Sequence, residues 1–374
     1  MTGDTPVWDD HPWPGLPRLE ADVDADVCVV GLGGSGLACV GELLDLGVHV
    51  AGIDAGPVAG GAAGRNGGFL LAGTYPFYHD AVERYGHARA LRLYRLTLGE
   101  MDRIAAEVPE AVRRVGSLRV ASSPEEEEDC RAQLDAMRAD GLPVEPYDGP
   151  EGRGLRIPTD GAFQPLLRAR TLARRAAGRG ARLFEGSPAL SISGTEVATP
   201  RGTVRCGAVV VAVDGRLERV LPELAGRVRT ARLQMLATAP TAEVRVPCPV
   251  YARWGYEYWQ QLPDGRVALG GFRDRAGDAE WTDSVEPSPR VQEMLERFLR
   301  EGIGVRAAPV THRWAASVGY TADGLPVLEE VRPGVWAAGG YSGTGNVIGA
   351  ICGRAAAQLA VRGGSALAEA FRAD

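Results

Sequence analysis

The sequence predicts a two-domain α/β protein, on three observations. An apolar run, Val27 to Val30, leads directly into Gly31, Gly33 and Gly36. A second glycine loop, Gly340 to Gly345, opens another small-residue helix near the C-terminus. Two intervening stretches differ in character, one helical and charged, the other rich in strand signals. The two glycine loops mark a Rossmann-like domain, and the intervening stretches an inserted α+β domain with a mixed sheet.

Composition narrows the function classes. The chain has 374 residues, 45% of them hydrophobic and 24% charged, with a net charge of -7, which fits a folded globular protein and disfavours nucleic acid as a partner. All 41 basic residues are arginine, so a lysine Schiff base, general base or phosphate clamp is excluded. Six cysteines lie scattered without a C-x-x-C pair, which fits reduced thiols in a cytoplasmic setting and no metal site. The acidic, proline-rich start lacks the apolar core of a signal peptide, and no run is long enough for a membrane span. Trp8 and Trp13 on this arm are expected to pack back onto the body.

In chain order, the first element is a βαβ unit. Its strand ends at Gly31 of a G-x-G-x-x-G run that also holds Gly34 and Ser35. Leu37, Val40 and Leu44 then recur at helical spacing, Gly47 ends the helix, and a second strand ends in Asp54, with Ala55 after it a further candidate cofactor contact. The first glycine permits the tight turn, the second admits a pyrophosphate, and the third lets helix and strand pack closely. The helix N-terminus faces the phosphates, and Asp54 is placed to accept from a ribose hydroxyl. These residues predict a dinucleotide, either NAD or FAD.

The next stretch, "AGPVAGGAAGRNGGFLLAG", replaces the expected second helix with small residues, so backbone must approach something flat and bulky. From "DVCVVG" through "GRNGG" the chain resembles the flavin-dependent D-amino-acid oxidase superfamily, which includes glycine oxidase and sarcosine oxidase. Its likeness is strongest to the gamma-glutamylputrescine oxidoreductase-like branch. The resemblance implies a FAD-binding domain of the glutathione-reductase type, with Gly61, Ala62, Ala63, Gly64, Arg65, Asn66, Gly67 and Gly68 along the flavin. Arg65 becomes a fixed positive charge there, which favours the reduced, more anionic flavin. Ala63 stands where the branch usually has serine.

Further along, "DGAFQPLLRARTLARRAAGRGARLFEGSPALSI" resembles the return of the chain to the FAD domain, and the run Ala208 to Val213 reads as sheet core. At the C-terminus, Thr321, Asp323, Gly324 and Pro326 match the superfamily's T-x-D-G-x-P stretch. The loop that follows, with Gly340, Gly343, Thr344, Gly345 and Asn346, implies a helix start facing the flavin's pyrimidine edge. Some members attach FAD through a cysteine before this stretch; "WAASVGYT" has none, which predicts non-covalent FAD.

The FAD domain is therefore expected at 1–74, 150–216 and 313–374, and the substrate domain at 75–149 and 217–312. In the latter, Tyr251, Trp254, Tyr256, Tyr258 and Trp259 precede a hairpin turn at Pro263 to Gly265, and alternation places half of them in the core. Trp254, Tyr256 and Tyr258 are candidates for holding an amine, and Arg253 and Arg273 for gripping a carboxylate. Catalytic candidates are Arg65, His312 and Tyr341. The run "EEEED", residues 125–129, reads as a solvated first turn of a helix.

The resemblance implies an enzyme that oxidises a C–N bond of an amine or amino acid to an imine by hydride transfer to flavin N5. Oxygen or another electron acceptor then reoxidises it; related oxidases use a lysine for the oxygen step, and this chain has none. Two alternatives stand beside this: a flavin dehydrogenase of a larger biosynthetic metabolite, and a non-catalytic FAD-binding subunit of a hetero-oligomeric oxidase.

Overall fold

A computed structural model describes residues 4–372. The chain forms two compact units. One, the glycine-loop unit, comprises His11–Gly64, Pro165–Ala231 and the chain from Ser317 onward; the other, the large-sheet unit, comprises the residues up to Asp10, Arg65–Gln164 and Arg232–Ala316.

The glycine-loop unit is built on a six-stranded sheet ordered Arg182–Phe184, Val50–Ile53, Val27–Val30, Ala208–Val211, Val335–Gly339 and Val327–Arg332. The first five strands pair in parallel and the last antiparallel. A parallel strand covered on both faces has no wet side, which is why "VCVV" and "AVVV" are apolar throughout and wholly buried. Helices Gly34–Asp45 and Ile348–Arg362 pack against each other so closely that a Cβ on Gly353 would lie 2.0 Å from the Ser35 carbonyl. A four-stranded sheet, Val23–Asp24, Gly202–Arg205, Glu196–Thr199 and Ser191–Ser193, completes the unit.

The large-sheet unit holds an eight-stranded mixed sheet ordered Val310–Tyr320, Arg229–Thr238, Val267–Gly271, Glu257–Gln261, Val250–Ala252, Ser117–Val120, Gly152–Ile157 and Glu145–Gly149. Helix Pro289–Phe298 lays Val291 and Leu295 on a core with Leu118, Trp259 and Leu269. The hairpin expected at Pro263 to Gly265 joins Glu257–Gln261 to Val267–Gly271. Trp259 faces the core, so Tyr258 and Gln260 share the other face.

The units divide at other places than the expected 74, 150, 216 and 313. Residues 65–74 and 150–164 group with the large sheet, because the Phe69–Leu70 strand pairs with Gly161–Phe163 and Gly152–Ile157 lies in the sheet itself. A second difference concerns the acidic run. Helix Pro124–Ala139 does begin there, but Glu126 is 0% exposed rather than solvated. Its carboxylate accepts from Ser122 N and Oγ and from the backbone N–H groups of Arg253 and Trp254. No helix among the described residues is long and apolar enough to cross a membrane.

Candidate functional site

In the glycine-loop unit the three motif glycines do different work. Gly31 adopts φ +101°, and a Cβ there would meet the Ala212 carbonyl at 2.6 Å; one on Gly36 would sit 1.8 Å from the Gly31 carbonyl. Both positions exclude any side chain. Gly34 has nothing within 4 Å of its would-be Cβ, and Gly33 meets only the Ala63 methyl at 3.4 Å. That bare surface lies at the start of helix Gly34–Asp45, which has no side-chain cap and no acid in its first turn. Its unsatisfied N–H groups and dipole suit an anion such as a pyrophosphate.

Asp54 fixes this loop. Its Oδ2 accepts from Leu32 N at 2.7 Å and its Oδ1 from Gly56 N at 2.8 Å, while burial raises its pKa against those two bonds. Carboxylate oxygens have further lone pairs, so these bonds leave acceptor capacity for a hydroxyl. Glu185 was not foreseen. It is buried, takes Trp13 Nε1, Leu16 N and Val58 N, and so ties the incoming arm to the loop after Asp54.

The same unit contains the C-terminal glycine loop. Tyr341 N and Gly319 N donate to the two oxygens of Asp214 at 2.8 and 3.0 Å, and Ser342 N donates to the Gly319 carbonyl. Burial pushes Asp214 up to about 6 against these bonds. Thr344 caps the turn on the Tyr341 carbonyl, Asn346 follows Gly345, and helix Ile348–Arg362 begins without a side-chain cap or acid. The two glycine loops meet directly: the Tyr341 hydroxyl donates to Ser35 Oγ at 2.7 Å. Tyr341, expected as catalytic, is 4% exposed and serves as this bridge, with Gly345 and Gly349 against its ring.

The segment Arg65–Gly68, which begins the large-sheet unit, is held by side chains from far along the chain. The carbonyl of Arg65 accepts from Trp314 Nε1 at 2.8 Å, that of Asn66 from Trp8 Nε1 at 2.8 Å, and those of Gly67 and Gly68 from Gln260 Nε2 at 2.5 and 3.1 Å. Four successive carbonyls are thus drawn toward fixed donors. Trp8 packs back on the body as expected, and it does so on this segment. Arg65 itself donates from Nε to the Ala315 carbonyl at 2.6 Å and from Nη2 to the carbonyl and carboxylate of Asp4. Its side chain is 13% exposed.

The remaining candidates separate. Tyr258 lies beside this segment, 3.2 Å from where a Gly67 Cβ would stand and edge-on to Phe69. His312 is partly buried, its Nδ1 2.8 Å from Thr311 Oγ1; burial, then the nearby Arg266, lower its pKa, so its ring is neutral at pH 7. Arg253, expected to grip a carboxylate, is engaged by Glu257 at 2.5 Å and bidentately by Asp274 at 2.8 and 2.9 Å. Its backbone and that of Trp254 have φ of 50° and 53°, a conformation held by Glu126. Arg273 stacks over Trp281 and Tyr256, and Trp254 is 43% exposed nearby on the same turn as Arg253. Sequence reasoning missed Gln260 and Trp314; Gln260 was recoverable, because it shares a strand face with Tyr258.

Residues 26–359 match the family described as FAD dependent oxidoreductase (DAO). The chain is 28% identical to a probable oxidoreductase OrdL of Rhizobium meliloti, over 96% of this chain and 90% of that protein. It is 27% identical to gamma-glutamylputrescine oxidoreductase of Escherichia coli, over 94% and 87%. The fold is shared with glycine oxidase from Geobacillus kaustophilus, at a TM-score of 0.78, 22% identity and coverage of 92% and 96%. The protein belongs to the FAD-dependent oxidoreductase family, and FAD is its cofactor.

Proposed function

We propose that this FAD-dependent oxidoreductase oxidises the C–N bond of a small amine or amino acid to an imine. The observation that carries the cofactor half is the Ser35–Tyr341 bond, which joins two uncapped helix starts, each opened by glycines, into one anion-friendly, backbone-lined surface. Gly33, Gly34 and Ser35 would hold the pyrophosphate, Asp54 the ribose, and Gly340 with Gly343 to Asn346 the pyrimidine edge of the flavin. The segment from Ala62 to Gly68 would follow the ring. Bound FAD supplies, at N5, the acceptor for the hydride that the substrate carbon gives up as its C–N bond becomes an imine. Attachment is non-covalent: residues 314–321 contain no cysteine, and Cys352 is buried within its helix.

Likeness to gamma-glutamylputrescine oxidoreductase supports an amine substrate. The residues of the large-sheet unit fit such a role by binding and orienting rather than by strong base catalysis. Tyr258 and Gln260 share one strand face, and the neutral His312 can accept a proton from an ammonium group. We assign a cytoplasmic setting on the six unpaired thiols, with oxygen or another acceptor closing the cycle.

The test is anaerobic mixing of the purified yellow protein with a panel of primary and secondary amines and amino acids. Bleaching of the visible flavin band by at least one of them, with the imine or its hydrolysis product recovered, is expected. A flavin that dithionite reduces but no amine does would overturn the reading.

A further inference from the structure

Residues 4–10 precede the matched family region, which begins at residue 26, yet they are built into the large-sheet unit. A chain terminus is ordered only where something ties it down. Here Val7 and Trp8 are both buried, and side chains of the body reach the arm at residues before and after Trp8. Gln164 Nε2 donates to the Trp8 carbonyl at 2.6 Å and to Asp10 Oδ1 at 3.2 Å. Arg266 donates to the Val7 carbonyl at 3.3 Å and to Asp10 Oδ2 at 3.1 Å.

What the arm holds in turn is the segment Arg65–Gly68. Asn66 Oδ1 accepts from Gly68 N at 2.8 Å, closing a turn in which Gly68 takes φ +67°. Its two glycines carry no side chain by which the body could orient them, so their orientation is set through the main chain and by what presses on it. Trp8 does both. Its Nε1 donates to the Asn66 carbonyl at 2.8 Å, and its ring carbon Cη2 lies 2.9 Å from where a Gly68 Cβ would stand. Asp4, on the same arm, accepts from Arg65 Nη2 through its carbonyl at 2.9 Å and through its carboxylate. Gln260 and Trp314 hold the same segment from the sheet.

We propose that Trp8 is a positioning residue for the reaction: the N-terminal arm and the sheet together clamp the Asn66–Gly68 turn, and the Trp8 N–H fixes that turn along the flavin. Trp8 acts through the Asn66 main chain and not on the substrate itself. That the turn borders the flavin rests on the function proposed above, whereas the clamp does not.

The kinetic consequence follows from geometry. A turn that drifts spreads the distances between the ring it borders and the substrate carbon, and hydride transfer tolerates little of that spread. The groups that bind the amine stay where they are. Loss of the Trp8 donor therefore lowers kcat and leaves KM in place, the pattern of an interaction that matters to the chemical step and not to binding.

The experiment compares the full-length holoenzyme with two variants. Trp8→Phe keeps a ring against Gly68 but has no N–H for Asn66; Gln164→Glu loses both donors to the arm and sets a carboxylate against Asp10. Hydrogen–deuterium exchange of peptides spanning 65–70 is read beside the visible circular dichroism of bound FAD, and kcat and KM are taken with an amine from the panel above. In Trp8→Phe the 65–70 amides are expected to exchange several-fold faster while the Val27–Val30 strand is unchanged, the flavin dichroism to change, and kcat to fall several-fold at constant KM. Gln164→Glu is expected to show the same pattern more weakly, and it carries the test alone if Trp8→Phe does not fold. Exchange at 65–70 as in the wild type would overturn the clamp. Faster exchange there with wild-type dichroism and kcat, or a lowered Tm as the sole effect, would overturn the positioning role. Failure of the proposed function would show separately, as a wild-type protein without flavin or with a flavin that no amine reduces; exchange at 65–70 then still decides the clamp.

Discussion

The two glycine loops of the glycine-loop unit and the Arg65–Gly68 segment of the large-sheet unit are both built from small residues, yet, apart from Gly68, whose Cβ would lie 2.6 Å from the Phe163 carbonyl, they are fixed by different means. In the first, shape is set by what a Cβ would strike: 1.8 Å from a carbonyl at Gly36 and 2.6 Å at Gly31. In the second, shape is set by donors from Trp8, Gln260 and Trp314, which hold four successive carbonyls. Local steric necessity writes itself into a motif. A network recruited from three distant parts of the chain does not.

The sharpest way to break the comparison is Gly36→Ala. With a carbonyl 1.8 Å from the new methyl, helix and strand must separate, and we expect the variant to retain less than about a tenth of the wild-type FAD, read as flavin absorbance per chain. Normal flavin content would show that the third glycine is dispensable. Gln260→Leu comes next and attacks the other mechanism. It leaves the Gly67 carbonyl without its donor, at a cost of about 1–3 kcal/mol, while the Gly68 carbonyl keeps the backbone N–H of Phe163. FAD content should stay near normal while kcat falls about tenfold or more, since a loose segment misplaces whatever lies along it. Equal losses of FAD in both variants would erase the distinction between the two regions.

A smaller effect is expected at Arg65. Removing its charge in Arg65→Met should lower the flavin midpoint potential by about 30 mV, equivalent to about 1.4 kcal/mol for a two-electron couple. Because Asp4 pairs with Arg65, Asp4→Ala should shift the potential the other way. An unchanged potential in both would mean that this charge does not act on the flavin.

The smallest effect tests the large-sheet unit away from the segment. Asp160 is buried, accepting from Ser117 Oγ and Ala72 N, and burial raises its pKa from 3.8 to about 7. A carboxyl raised in the fold stabilises it fully only below the ordinary carboxylate range, and that contribution is lost as pH rises toward 7. Asp160→Asn cannot titrate, so its Tm relative to wild type should rise by about 2–4 °C between pH 5 and pH 8. A constant difference across that range would place the carboxyl's titration elsewhere.

Much of the fold was legible from residues alone. The βαβ unit, the C-terminal strand–loop–helix and the hairpin at Pro263 to Gly265 all follow periods and turns that read locally. Other features were hidden because they depend on which residues topology brings together. Glu126 looked like one of a solvated run, but it lies under the turn of Arg253 and Trp254, whose left-handed backbone it binds. Arg253 looked available for a carboxylate and is matched by Glu257 and Asp274. Tyr341 looked catalytic, and it is the post on which the two glycine loops meet. Glu126 reads as part of a solvated run and Arg253 and Tyr341 as site residues, and in each case the partner that the fold brings in, not the residue type, decides how the side chain is held.

The central claim is that FAD is held, without a covalent bond, by the main chain of two joined glycine loops. It is tested most directly by the visible spectrum of the purified protein, repeated on the supernatant after acid precipitation. The account predicts a flavin spectrum that passes wholly into the supernatant and is identified there as FAD, at one per chain. Colour that stays in the pellet, or a released flavin other than FAD, would contradict it.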